Sequence, residues 1–108
     1  MKTRTVPLLI EKVQQVAIAR NATILGVGLR TCKTSGSGLL AGEFKPELYV
    51  VEKENDEQVL RVLLTLGTDM VGPDTGVVHV GSYYIREGTF IGHVFEVIDD
   101  ATMLFVNP

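Results

Sequence analysis

Val77-Val78-His79-Val80-Gly81-Ser82-Tyr83-Tyr84-Ile85-Arg86-Glu87-Gly88-Thr89-Phe90-Ile91-Gly92-His93-Val94-Phe95-Glu96-Val97-Ile98 carries the clearest local pattern in the chain. Two runs rich in β-branched and aromatic residues flank Glu87-Gly88. An acidic residue followed by glycine serves as a two-residue hairpin turn. A turn at that point fixes the register of everything before and after it. Ile85 then faces Phe90, Tyr84 faces Ile91, Tyr83 faces Gly92 and Ser82 faces His93. Further from the turn, Gly81 faces Val94, Val80 faces Phe95 and His79 faces Glu96. One side of the hairpin holds Tyr83, Ile85, Phe90, Gly92 and Val94, with His79 and Glu96 at its end. The other holds Tyr84, Ile91, Ser82, His93, Val80 and Phe95. Both sides are largely apolar, whereas a sheet with one wet face alternates apolar with polar.

Upstream of this hairpin, two segments have helical spacing. Val6, Ile10, Val13 and Ala17 recur on one stripe of residues 6–20, with Thr5 as a cap and Pro7 in the first turn. Val59, Val62, Leu63 and Leu66 do the same over 55–66, where Asn55 is placed as a cap, Gln58 follows three residues on and Gly67 closes the end. Between them, 22–30 and 47–53 read as strands paired antiparallel. The glycine-rich stretch 31–43 joins them as a flexible loop. Residues 68–76 read as a loop, and Met103 to Val106 as a last short strand. The expectation is a single α+β domain over 1–108: an antiparallel sheet of about five strands with two helices on one face, in the order α-β-β-α-β-β-β.

Composition narrows the function classes. The 108 residues carry ten basic and thirteen acidic side chains, a net charge of -3. No basic run exists, which argues against a nucleic-acid partner. The apolar start of the chain is broken by Glu11, Lys12, Gln14 and Gln15, so neither a signal peptide nor a membrane span is predicted. The lone Cys32 cannot form an internal disulfide. Together these point to a cytoplasmic protein. Cys32 lies between Arg30 and Lys33, cations that favour a thiolate, although an ordinary thiol at a strand end is the plainer reading. Gly26-Val27-Gly28 lacks the third glycine and the following helix of a dinucleotide fingerprint, and Cys32-Lys33-Thr34 lacks the glycine of a phosphate loop. No cofactor is expected.

Candidate chemistry gathers on the hairpin. A carboxylate opposite an imidazole can orient it and make it a base, so His79 and Glu96 are the candidate catalytic pair. The structural alternative is an ordinary cross-strand polar pair. His93 opposite Ser82 is either a hydrogen-bonded histidine or a Ser–His couple without a third member. His93 and Glu96 point to opposite faces of a strand and cannot share an ion, so no metal site is predicted. Tyr83, Tyr84, Phe90, His93 and Ser82 are the candidate ligand-binding residues.

The doubly apolar hairpin needs cover on both faces. It predicts a homo-oligomer through 77–98, since large apolar patches are rarely left bare; the alternative is that the glycine-rich loop and the chain ends fold over the second face. The resulting expectation is a homo-oligomeric binding or scaffolding module for an apolar small molecule or a partner peptide. A small acid–base enzyme, a hydrolase or isomerase using His79 and Glu96, is the alternative.

Overall fold

Along Val13–Ala19 burial alternates residue by residue: Gln14, Val16 and Ile18 point inward while Gln15 and Ala17 face solvent. That period of two belongs to a strand, and it recurs through the chain. The computed structural model describes residues 1–32, 43–85 and 90–102. Within them lie seven strands: β1 (Lys2–Pro7), β2 (Val13–Ala19), β3 (Thr23–Cys32), β4 (Glu43–Glu52), β5 (Gln58–Gly67), β6 (Val77–Ile85) and β7 (Phe90–Val97). They form two antiparallel sheets, β1-β4-β3 and β2-β5-β7-β6. The inner faces pack on one another around Ile18, Leu48, Val50, Leu63, Tyr83, Ile85 and Val94.

The α+β expectation is therefore wrong. The two expected helices are strands, and helical structure among the described residues is a single turn at 100–102. Residues 6–20 end one strand and contain another. Val6, Ile10, Val13 and Ala17, aligned on a helix, here belong to different surfaces. Where a helix is expected over 55–66, Gln58–Gly67 form β5, and the expected cap Asn55 has φ 64°, a left-handed turn conformation; a helix cap sits in the extended region. The pairing of β3 with β4 matches the expected antiparallel pair, from Thr23↔Val51 to Cys32↔Glu43. Most of the expected flexible loop, the Glu87-Gly88 turn and the short strand at 103–106 lie outside the described residues.

β5 and β6 run parallel with β7 between them. The nine residues 68–76 must therefore run back along the sheet before β6 begins. They pass over the outer face of the four-stranded sheet, where the Gly72 backbone lies against the Leu66 side chain. The far end of this strap is tied by Ile98 N–H to Gly76 O (2.9 Å) and Thr102 Oγ1 to Thr75 O (3.1 Å). Beneath it Val62, Leu64 and Val97 form a second buried cluster. From Val62 to Leu66 β5 is thus covered on both faces, which accounts for the apolar run there, while Leu60 stays exposed on the outer face.

Two Arg–Glu pairs hold the end of the sandwich at the β2–β3 turn. Glu52 accepts from Ala19 N–H at 2.7 Å and from Arg4 Nε at 2.9 Å. Arg61 donates to Ala22 O at 2.7 Å and grips Glu96 with Nε and Nη2. Along one side of the sandwich, β3 and β6 meet at Gly81. A Cβ there would lie 2.8 Å from the Val27 backbone nitrogen, so glycine is needed for that approach.

Candidate functional site

The β6–β7 register follows the expected turn from Ile85↔Phe90 as far as Gly81↔Val94. It then slips. Val80 is an extra residue in β6, so His79 faces Phe95 and Val78 faces Glu96. A one-residue bulge sends every side chain beyond it to the other face. His79 leaves the side of Glu96 and joins Ser82 and His93 on the outer face.

Ser82 Oγ then lies 3.1 Å from His79 Nε2 and 2.8 Å from His93 Nδ1. The two imidazole centroids are 6.4 Å apart. A hydroxyl has one proton to give, so one ring accepts from Ser82 and the other donates to it. The His79 ring rests on Phe95, centroid to centroid 5.2 Å and tilted by 59°. His79 is exposed, while Ser82 and His93 are half-buried.

The proposed His79–Glu96 pair is absent from this arrangement. Glu96 lies inside the sandwich and is bound bidentately by Arg61, with Nη2–Oε1 at 2.7 Å and side-chain exposures of 17% for Arg61 and 13% for Glu96. The candidate ligand residues are also divided between surfaces. Tyr83 is in the core, its ring lying over Gly92; a Cβ on Gly92 would be 2.5 Å from the Tyr83 ring carbon Cζ. Burial raises the Tyr83 phenol above its ordinary value, and among the described residues its hydroxyl has no partner. Phe90 packs against Tyr83 on the same inner side, centroids 6.1 Å apart. Tyr84 is on the outer face and 57% exposed, with Ser82 and His93 beside it.

The outer face as a whole is unusual in composition. The register places Val13, Gln15 and Ala17 of β2 on it, with Leu60, Val62, Leu64 and Leu66 of β5. Ile91, His93, Phe95 and Val97 of β7 follow, then Val77, His79, Ser82 and Tyr84 of β6. None of these side chains is Asp, Glu, Lys or Arg. The outer face of the three-stranded sheet, by contrast, carries Arg30, Lys45 and Glu47.

Two features were not anticipated from the residues. Arg61 is a lone cation in an apolar strand, and a buried charge requires a partner; the residue signals an acidic complement, which the fold supplies as Glu96. Gly81 inside a β-branched run signals a bulge or a close backbone approach, and both occur here. No group of three or more His, Cys, Asp or Glu side chains placed to hold a metal occurs among the described residues. No helix among them is long and apolar enough to cross a membrane. Comparison with protein-family models, curated proteins and solved structures finds no match to this chain.

Proposed function

We propose that the chain is an assembly module that associates with a second copy of itself through the outer face of β2-β5-β7-β6, with the β6–β7 hairpin at the centre of contact. The observation that carries this reading is a sheet face on which none of the described residues has a charged side chain, in a chain of net charge -3. A two-fold interface presents the same patch to itself. A patch without charges meets its own copy with no like-charge contact and little polar desolvation, whereas the outer face of the three-stranded sheet carries Arg30, Lys45 and Glu47. Apolar groups remain available on the proposed face: Tyr84 is 57% and Leu60 64% exposed, and Val71 on the strap is also bare. Burial of such surface is the usual driving force for association.

The acid–base enzyme alternative loses its support, because Glu96 and His79 occupy opposite sides of the hairpin and Glu96 is taken by Arg61. Sedimentation velocity across the micromolar range tests the assembly. The full chain is expected to run as a dimer or larger. Tyr84→Arg places a cation on the face at its β6 edge, within the hairpin, and is expected to return it to a monomer with an unchanged circular dichroism spectrum. A wild-type chain that stays monomeric, or association that Tyr84→Arg leaves untouched, would overturn the proposal.

A further inference from the structure

We propose that His79 and His93 form a two-imidazole site for a divalent transition-metal ion, with the ion seated between the two ring nitrogens that now share Ser82 Oγ. The proposal rests on convergence. His79 Nε2 and His93 Nδ1 come from neighbouring strands and approach one oxygen to within 3.1 Å and 2.8 Å. Zinc–imidazole bonds are about 2.0–2.1 Å long. Small rotations of the two rings therefore suffice to bring both nitrogens onto one ion, which takes over the hydrogen-bonding role of the hydroxyl.

Three features of the surroundings favour a cation there. The Val80 bulge and the Phe95 ring fix where the His79 imidazole lies, so part of its rotational freedom is already removed. Among the described residues the face contributes no Lys or Arg to repel an ion. Its neighbours across β7, Leu64 opposite Phe95 and Leu66 opposite His93, offer no competing donor.

The donor set also defines the class of ion. Calcium and magnesium need several oxygen ligands, which this face does not supply. Imidazole nitrogen suits zinc, nickel and copper, with copper(II) bound most tightly in the usual order of affinities. Two protein ligands leave the remaining positions open to water, so the site is an exchangeable one rather than a closed structural centre.

The test is titration of the untagged full chain with nickel chloride by calorimetry, paired with long-range proton–nitrogen NMR of the imidazoles during addition of zinc chloride. One equivalent per chain is expected. His79→Gln and His93→Gln should each weaken binding by roughly tenfold or more. Zinc should shift His79 Nε2 and His93 Nδ1. A Leu60→Arg background, which puts the cation on the same face but six residues along β5 from the Leu66 that pairs with His93, should break the assembly and give the same affinity, which separates this proposal from the proposed assembly. His79 is exposed, so His79→Gln should fold normally and decides the matter even if His93→Gln does not. Retention of full affinity in His79→Gln, absence of binding by the wild type, or zinc shifts confined to other nitrogens would each overturn it.

Discussion

Replacing Glu96 should damage stability and leave the outer-face histidines alone. Arg61 and Glu96 are 17% and 13% exposed and joined by two parallel hydrogen bonds, so Glu96→Ala strands a guanidinium inside the sandwich. Its remaining partners are carbonyls: Ala22 O at 2.7 Å and Ala19 O at a longer 3.4 Å. Neither can neutralise it. Removing one member of a buried pair costs about 3–5 kcal/mol, mostly as the penalty on the charge left behind. A domain of this kind is stable by about 5–15 kcal/mol in total, so roughly a fifth of that at the least, and all of it at the most, would be lost. With a melting shift of roughly 4–8 °C per kcal/mol, the midpoint should fall by well over 10 °C. Glu96→Gln keeps an acceptor and should lose less, and the double replacement Arg61→Met with Glu96→Leu should recover much of the loss, because no charge is then buried. Urea denaturation of the wild type, Arg61→Met, Glu96→Leu and the double replacement gives the coupling energy directly. Imidazole NMR of Glu96→Gln should show His79 unmoved. A Glu96→Ala loss below about 1 kcal/mol, the value of an exposed pair, would refute the reasoning, as would a displaced His79 signal.

Gly81→Ala should destabilise by about 1–3 kcal/mol through overpacking, since its methyl would press on the Val27 backbone at 2.8 Å and side chain at 2.9 Å; thermal melting measures it, and hydrogen exchange should report loosened amides in β3 and β6. Acid should weaken the fold partly through Glu52, whose carboxyl is held below its ordinary value of 4.5 by the Ala19 N–H first and then by Arg4 and Gln58. A depressed folded-state value stabilises above the unfolded value and is lost as pH falls through the folded one, so denaturation midpoints should drop below pH 4.5 and Glu52→Gln should flatten that part of the curve.

How much of this was legible in the residues depends on what each strand touches. The β3–β4 pair and the hairpin near its turn are readable because local chemistry and pairing agree there: glycine-rich connections, β-branched runs and short loops. β2 is harder. Its inward residues are Gln14, Val16 and Ile18, and a glutamine among them hides the alternation. Gln14 is accommodated because its amide bonds back to the Leu9 backbone, with Leu9 N–H donating to Oε1 at 2.9 Å and Nε2 donating to Leu9 O at 2.8 Å. β5 is harder still. Inner residues Val59 and Leu63 and outer residues Val62 and Leu66 also fit one helical stripe, and the strap that makes the outer ones apolar is distant in sequence. A strand covered on both faces and a helix covered on more than one share a pattern; only the β-branched content and the Asn55 turn lean toward the strand.

The candidate site shows how little sequence separates one chemistry from another. The hairpin turn predicts His79 against Glu96, and that prediction fails by one residue at Val80. The slip sits between two fixed points of the interior. Beyond it, His79 leaves the position opposite Glu96 on the inner face, where Arg61 binds that carboxylate. Before it, Gly81 keeps its expected place on the inner face against Val27, where any side chain would hold the sheets apart. The same slip turns His79 outward to within 3.1 Å of Ser82. Packing of the interior therefore selects which polar groups meet on the surface. Deleting Val80 removes the bulge without changing the pairs on either side of it, Gly81↔Val94 and His79↔Phe95, so His79 should stay on the outer face beside Ser82, the Arg61–Glu96 pair should persist, and nickel binding should survive. If the folded deletion variant lost nickel binding, pairing with Phe95 would not be what places His79 beside His93.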